Sequence, residues 1–494
     1  FAITRKDCKK YHYIVGLSIE ANRFMRMRSN LEKTILLKNM VCGEDMEGNL
    51  TKGPILKTLT KLAIPIMASS FLGTLYNLTD MAWIGLLGAK AVAGVGVGGM
   101  YVWLSQGLAS LSRMGGQVNT AQACGRKDYD QARSYAAGSL QLTALSGILF
   151  AAVCVIFIQP LLGFFNLTDA ETYTAARSYT LITCGLILFS YLNLTLTGLS
   201  TAQGDSRTPL LANFIGLAGN MILDPLLILG IGPFPRLEVA GAAIATVSSQ
   251  ILVFVVMVLR IRHSRLEPNV LQHLNLLSVF PKEYYKHIFR IGFPTAIQGS
   301  IYCFISMVLT RMVSGYGAAA IATQRVGGQI ESVSWNTADF ASALNAFIAQ
   351  NYGARKKDRI RKGYSLSFRV LTIWGLFVTA AFVFLPEPIA RLFFHEKEAL
   401  DTAVNYLVII GFSEVFMSIE LMTVGALSGL GRTRLSSTIS VILTGSRIPL
   451  ALILTHAGMG LNGIWWALTI SSIVKGIVFT LTFRHISRRL PEKV

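Results

Sequence analysis

Charged residues are scarce in this chain of 494 residues, where Asp, Glu, Lys and Arg together make up only 14%. A soluble globular chain normally carries about 25% charged residues. Long apolar runs take the place of the missing charge, and hydrophobic residues reach 52% of the chain. This composition excludes an ordinary soluble protein and predicts an integral membrane protein.

The sequence also lacks the patterns that catalysis and metal binding require. Its six cysteines show no paired spacing, so neither a disulfide framework nor a cysteine metal site is indicated. It contains no HExxH, GxSxG or Gly-Lys-Ser/Thr phosphate-loop motif, which argues against hydrolysis and against ATP-driven pumping. We therefore expect no enzyme, no cofactor and no metal centre. An ion gradient is then the expected source of energy.

Apolar runs of about 20 residues or more recur along the chain, each long enough to cross about 30 Å of hydrocarbon. They predict twelve transmembrane helices joined by mostly short loops. The predicted spans lie near 61–87, 91–117, 134–158, 174–198, 208–231, 239–261, 287–313, 319–349, 364–385, 401–427, 435–456 and 462–483.

The excess of positive charge, +19 at pH 7, is not gathered into a nucleic-acid-binding patch. Lys and Arg concentrate in every second loop, as in 260–265 and 355–362, while the intervening loops hold isolated ones such as Lys90 and Arg236. Basic loops mark the cytoplasmic side of a membrane. The pattern therefore predicts no nucleic-acid partner and places both termini in the cytoplasm.

The second half of the chain repeats the first at an offset of about 225 residues. Ile64-Pro65-Ile66 aligns with Phe293-Pro294-Thr295, and residues 204–208 (GDSRT) align with 429–433 (GLGRT). Two copies of one multi-helix unit are a common plan for transporters, whose halves rock around a central cavity. We expect an all-α protein of two six-helix bundles related by a pseudo-two-fold axis along the membrane normal.

The repeat and the loops predict four segments. An N-lobe over 51–265 holds the first six helices, a cytoplasmic linker covers 266–285, and a C-lobe covers 286–494. Residues 1–50 form a basic tail without a signal-peptide apolar region. The sequence from Met46 onward reads like a transporter start, so one interpretation of the tail is an over-extended reading frame. The other is a basic segment that lies on anionic lipid.

Two acids inside predicted spans of the N-lobe are the first candidates for function, because charges inside a membrane are costly. Asp80 follows Pro65 in the first span, and Asp224 lies one turn after Asn220 in the fifth. A poorly hydrated pocket favours the neutral form of a carboxylate, which suits a proton carrier. The alternative places both acids near span ends, in contact with interfacial water. The C-lobe does not repeat either acid, so the predicted ion site is asymmetric.

The predicted spans of the C-lobe contain acids of their own. They are Glu331 and Asp339 in the eighth span and Glu414 and Glu420 in the tenth. We consider them a candidate second cation or substrate site. The alternative is a set of structural ion pairs, because the same lobe contains Arg311, Arg325, Arg447 and Lys475.

Residues 75–85 (LYNLTDMAWIG) resemble the first-helix motif of the multidrug and toxic compound extrusion (MATE) family. Residues 204–209 (GDSRTP) resemble its loop motif after the fourth helix, and the duplicated plan extends the resemblance over nearly the whole chain. The pattern is most similar to the DinF-like, mostly prokaryotic branch. By this resemblance the coupling-ion network of that branch falls on Asp80, Asn193, Asn220, Asp224 and Thr246. The proline linked to helix bending falls on Pro65.

The resemblance implies a secondary active antiporter that exports organic cations or amphipathic drugs in exchange for H⁺ or Na⁺. A cluster of carboxylate, amide and hydroxyl oxygens also suits a hard cation, so Na⁺ at Asp80 and Asp224 stays an alternative to a proton. The implied setting is the bacterial or archaeal cell membrane. The expected partners are the lipid bilayer and a small-molecule substrate, and we expect a monomer.

Two other functions fit part of the sequence. A lipid-linked oligosaccharide flippase of the same superfamily would need a cationic cavity for a pyrophosphate, for which Arg113, Arg325 and Arg447 are candidates. A membrane-embedded transferase would need a pair of acid–base residues on one aqueous face, and the sequence shows no such pair.

Overall fold

The computed structural model of the protein describes residues 49–489 except Asn166, Thr168, Arg265, His273 and His395. The predicted basic tail over 1–50 therefore lies almost entirely outside the described residues, as do residues 490–494. Within the described part of the chain the secondary structure is helical, and no strand occurs there.

Eight helices follow the apolar runs of the predicted N-lobe. The side chain of Asp128 caps the third by accepting a hydrogen bond from the backbone N–H of Gln131, and Asp169 caps the fifth in the same way through Thr172. The helices are α1 Ile55–Gly85, α2 Ala89–Arg126, α3 Tyr129–Ile156, α4 Ile158–Gly163, α5 Ala170–Gly185, α6 Leu188–Ala202, α7 Arg207–Leu229 and α8 Glu238–Arg262.

Ten helices build the second half, and the first of them begins at Lys282, inside the predicted linker. They are α9 Lys282–Ser314, α10 Ala318–Ala338, α11 Phe340–Gly353, α12 Lys357–Phe384, α13 Pro386–Arg391, α14 Lys397–Gly411, α15 Glu414–Gly429, α16 Thr433–Gly445, α17 Arg447–Leu454 and α18 Gly460–Arg488. A π-helical segment, Thr455–Met459, connects α17 to α18.

The fourth and tenth predicted spans each consist of two helices that bend at a glycine. α5 ends at Gly185 and is bent by 47° from α6, and α14 ends at Gly411 and is bent by 51° from α15. Glycine is a weak helix former, and a carbonyl released inside a membrane needs another donor. The hydroxyl of Thr379 donates to the carbonyl of Gly411 at 2.8 Å and so supplies one.

Seven of the described helical segments are long and apolar enough to cross a membrane, and the two bent pairs raise the number to nine. One of the seven, Thr433–Arg488, contains both the eleventh and the twelfth predicted span. The predicted spans without a passing helix are 91–117 and 319–349, the second span of each repeat. Their helices carry small and polar residues because they pack between other helices: α2 contacts α3, α5, α6, α9 and α11, and α11 is buried along most of its length.

The two lobes meet where α2, α6, α11 and α15 end, a region that we call the basic end. It comprises the loop residues 127–128, 203–206, 354–356 and 430–432 together with the last turn of each helix. Gln122 Nε2 donates to the carbonyl of Gly429 at 3.0 Å, and Gln350 Nε2 donates to that of Ala202 at 2.7 Å. The pseudo-two-fold repeat thus joins the lobes by two equivalent hydrogen bonds.

Glycines let the two backbones approach at the basic end. A Cβ on Gly125 would overlap the carbonyl oxygen of Gln350, and a Cβ on Gly353 would overlap that of Gln122. Both glycines lie in the last turn of their helix, α2 and α11. The lobes therefore close on each other at this end without room for an added side chain.

Candidate functional site

A cavity of about 350 Å³ lies inside the N-lobe, between α1, α2, α5, α6, α7 and α8. Its described lining contains the carboxylate of Asp80 but no Lys or Arg. The other polar residues of the lining are Ser69, Tyr76, Asn77, Gln106, Tyr179, Thr183, Ser190, Asn213, Thr246, Ser249 and Gln250. A cavity lined by an acid and by no base attracts cations.

Asp224 and Asn220 are fully buried on one face of α7, as their spacing predicts. Asn220 Nδ2 donates to Asp224 Oδ1 at 3.0 Å. Asp224 Oδ2 and Asn220 Oδ1 have no hydrogen-bond partner among the described residues. Buried polar atoms are nearly always paired, so these two oxygens are candidates to bind a proton or a cation.

Asp80 lines the cavity from α1 and is only 8% exposed. Its Oδ1 has no hydrogen-bond partner in the described part of the chain. Asp80 and Asp224 are near enough to each other to interact electrostatically. Two carboxylates that repel each other without a neighbouring base favour the uptake of a proton or another cation.

The remaining two predicted residues take different positions around the cavity. Thr246 lines it from α8, together with Gln250 one turn later. Asn193 on α6 donates through Nδ2 to the carbonyl of Gln250 at 2.8 Å and to its side-chain Oε1 at 2.9 Å. Asn193 therefore positions Gln250, while Asp80 and Thr246 face the cavity and Asn220 and Asp224 stand outside its lining.

The sequence patterns do not single out most of the lining, including Tyr76, Tyr179 and Gln250. Tyr76 lies one turn before Asp80, and Gln250 lies one turn after Thr246, so helical spacing from the predicted residues would have found both. Tyr179 comes from α5 and carries no such signal, because it reaches the cavity through tertiary packing.

Helix α1 passes from one lobe to the other near Pro65. Before the proline, Leu62 is buried in a hydrophobic core with Phe347 and Leu427 of the C-lobe. After it, Asp80 faces the N-lobe cavity. Proline removes one helix hydrogen bond, so a bend is easiest here. The helix is continuous through Pro65 in this structure, and its bending stays a prediction.

The four acids predicted as a second site have different partners, although Glu331 and Glu420 both lie near Tyr302. Glu420 pairs with Lys475, with 2.8 Å between Oε1 and Nζ, and both side chains are buried. Asp339 accepts a hydrogen bond from Ser70 on α1 and lies near Arg113 on α2, so it connects the two lobes.

Glu331 and Glu414 form a third group in the C-lobe. They are near enough to interact, and Tyr406 lies beside Glu331. Glu414 is fully buried. The described residues contain no group of three His, Cys, Asp or Glu that could hold a metal ion.

Two helical lobes of one design, each with buried charges and an internal cavity, define a membrane transporter. A MatE family model matches residues 65–226 and matches again over 294–453. The chain belongs to this family of transporters, so the family, the all-α fold of two six-helix bundles and the absence of an enzyme function are confirmed. The DinF-like branch stays a prediction.

Relatives of similar length support the family. The probable multidrug resistance protein NorM of Thermotoga maritima is 29% identical over 87% of this chain and 92% of its own. The FAD transporter of Shewanella oneidensis is 26% identical over 87% of this chain and 94% of its own. A solved MOP superfamily transporter from Pyrococcus furiosus shares the fold, with a TM-score of 0.83, 23% identity and coverage of 90% of this chain and 99% of that one.

Proposed function

We propose that the protein is a secondary active antiporter that exports amphipathic organic compounds, drugs among them, in exchange for H⁺ or Na⁺. The observation that carries the proposal is the position of Asp80 in a cavity whose described lining has no Lys or Arg, with Asp224 near enough to Asp80 to interact. The names of the similar proteins, a multidrug resistance protein and an FAD transporter, support an organic cargo but assign it no single charge.

In the proposed cycle a proton or Na⁺ binds at Asp80 and Asp224 and removes their mutual repulsion. The hydrogen bond from Asn220 to Asp224 then changes, and α1 bends at Pro65, where it crosses between the lobes. A ligand shifts such an equilibrium only by its different affinity for the two states. The cation and the cargo must therefore favour opposite states of the transporter.

We place the chain in a bacterial or archaeal cell membrane as a monomer, with both termini in the cytoplasm. The support is the alternation of basic loops, which assigns the basic end to the cytoplasmic side. In this proposed orientation, the contact between the lobes at the basic end closes the transporter toward the cytoplasm.

The flippase alternative receives less support from the structure. Arg113 lies near Asp339, Arg447 lines a separate C-lobe cavity, and Arg325 is exposed. The three arginines thus stand in different surroundings, whereas a pyrophosphate site would need them close together.

The test is dye accumulation in energised, pump-deficient cells that express the wild type or Asp224→Asn at matched membrane levels. Ethidium serves as a cationic probe and carboxyfluorescein as an anionic probe. We expect the wild type to lower the accumulation of at least one dye and Asp224→Asn to lower neither. Export by Asp224→Asn at the wild-type level would show that Asp224 is structural and would contradict the proposal.

A further inference from the structure

The C-lobe contains a second cavity, of about 210 Å³, whose charge is opposite to that of the N-lobe cavity. It lies between α9, α10, α15, α16, α17 and α18. Its described lining includes two basic residues, Arg447 and Lys475, and one acidic residue, Glu420. The lining therefore carries one net positive charge, in a lobe where cations were expected to bind to acids.

Lys475 and Glu420 neutralise each other. Their Nζ and Oε1 atoms lie 2.8 Å apart, and the side chains are 5% and 9% exposed. In a buried ion pair of this kind, the attraction between the two charges offsets the cost of removing them from water. The pair therefore adds no net charge to the cavity and needs no further partner. The net positive charge of the cavity is then that of Arg447.

Arg447 has no carboxylate partner of its own in the described part of the chain. The residue is 8% exposed at the start of α17. Its Nε donates to Ser471 Oγ at 3.3 Å, and its Nη2 donates to Ser472 Oγ at 3.1 Å. These hydroxyls fix the guanidinium plane but carry no charge, and an arginine side chain stays protonated in proteins. A buried cation held by neutral acceptors is stabilised by an anion that enters the cavity.

The nearest acids do not take this role. Glu331 interacts with Arg447 electrostatically but is not part of the cavity lining, and Glu414 lies beyond it, next to Glu331. Their charges weaken the positive potential around Arg447 without filling its hydrogen-bonding positions. The charged residues in contact with the cavity itself are Arg447, Lys475 and Glu420.

Two aromatic side chains line the same cavity as the charged residues. The rings of Tyr302 and Trp335 lie 6.0 Å apart between centroids and are tilted by 56°. Both line the cavity, and Trp335 is 38% exposed, so it stands where a ligand can enter. Aromatic faces bind flat, apolar ring systems. The cavity thus combines a cationic end with an aromatic entrance.

We propose that this C-lobe cavity binds the carboxylate or phosphate group of an aromatic cargo, with Arg447 as the ionic contact and Tyr302 and Trp335 against the ring. This inference rests on the proposed export function and narrows its cargo to aromatic anions and zwitterions. The N-lobe cavity then binds the coupling cation and the C-lobe cavity binds the anionic end of the cargo. An arginine suits this role because its planar fork can donate two parallel hydrogen bonds to one carboxylate or phosphate.

The test is fluorescence-polarisation binding of carboxyfluorescein to the purified full-length protein in an uncharged detergent. We expect Arg447→Gln to weaken binding about tenfold or more, because it removes a charge-assisted hydrogen bond. Glu420→Gln should change affinity in the opposite direction, a several-fold gain, because the lining gains a positive charge. Arg325→Gln is the matched control, since it removes an exposed arginine of the same lobe that does not line the cavity.

Arg447→Lys is the control for misfolding. It keeps the positive charge, so it should retain part of the affinity that Arg447→Gln loses. Equal affinity in the wild type, Arg447→Gln and Glu420→Gln would overturn the proposal. Displacement of the dye by phosphatidylglycerol added to the micelles would assign the cavity to a lipid headgroup and would equally overturn it.

The binding assay also separates this inference from the proposed function. Arg447-dependent binding without gradient-driven export would support the cavity assignment and contradict the antiporter. Gradient-driven ethidium export that depends on Asp224, with no binding of carboxyfluorescein, would support the antiporter and overturn the cavity assignment.

Discussion

The two cavities are built from equivalent parts of the repeat but carry opposite charge. Each is lined by the first, second, fourth, fifth and sixth spans of its own lobe. In the N-lobe Asp80 faces the cavity and Asp224 stands near it, whereas the aligned positions of the C-lobe hold Leu309 and Ile448. In the C-lobe Arg447 supplies the charge instead. The duplicated backbone provides two similar cavities, and a few side chains decide that one suits a cation and the other an anion.

The largest effect is expected from neutralising the N-lobe acids. Asp80→Asn and Asp224→Asn should each abolish gradient-driven export, because the coupling ion loses its charged ligand, while the protein still inserts into the membrane. Dye export at matched expression measures this. Asp130→Asn is a suitable control, since Asp130 is 93% exposed and pairs only with Arg133 on the helix surface. Equal loss of export in the control would show that removing any carboxylate of this lobe impairs transport, and it would contradict a specific role of the cavity acids.

The next effect concerns the ion pair of the C-lobe cavity. Lys475→Met leaves Glu420 buried without a partner and should lower the free energy of unfolding by about 3–5 kcal/mol. The double variant Glu420→Gln/Lys475→Met removes both charges and should recover most of that loss. Thermal unfolding in detergent compares the two. If the double variant is no more stable than Lys475→Met, the pair is not self-contained, and the charge of the cavity cannot be assigned to Arg447.

A smaller effect is expected at the basic end, where the two lobes make equivalent contacts with each other. Gly125→Ala and Gly353→Ala each place a methyl group against a carbonyl of the other lobe and should disfavour the closed basic end by about 1–3 kcal/mol. The native thiol of Cys124, in a variant lacking the other five cysteines, should then react faster with a maleimide. Gly96→Ala is the control, because a Cβ at Gly96 meets no atom within 4 Å. Unchanged labelling in both test variants would contradict close contact between the lobes here.

The smallest effect is expected from removing either of the two equivalent hydrogen bonds at the basic end. Gln122→Ala loses the bond to Gly429 and should cost about 1 kcal/mol of unfolding free energy. Gln350→Ala should cost more, because Gln350 Oε1 also accepts a hydrogen bond from the backbone N–H of Leu50 at 2.9 Å. Unfolding temperatures in detergent rank the variants. Equal losses would show that the contact with Leu50 contributes little.

The helical architecture was largely accessible from the sequence, because apolar runs and the repeat depend on local composition. The bends at Gly185 and Gly411 were not predicted, since a glycine inside an apolar run is compatible with both a straight and a broken helix. The low hydropathy of α2 is explained by its position, because this helix packs among other helices in the folded protein.

The sequence singles out a buried residue where one residue carries the signal, but it does not determine which buried charges pair with each other. Asp80 and Asp224 stand out in the sequence because an acid in a membrane span is rare. The sequence could not tell which of the four basic residues of the C-lobe would neutralise an acid. Lys475 pairs with Glu420, whereas Arg447 donates its hydrogen bonds to serine hydroxyls, and both outcomes depend on how α15, α17 and α18 pack.

The central feature of the proposed transport cycle is that the N-lobe carboxylates couple export to a cation gradient. The direct measurement is dye transport by proteoliposomes under an imposed H⁺ or Na⁺ gradient, with the wild type and Asp224→Asn reconstituted at equal density. We predict that the wild type responds to one of the gradients, and that Asp224→Asn responds to neither while it binds carboxyfluorescein as the wild type does. A gradient response in Asp224→Asn equal to that of the wild type would contradict the account.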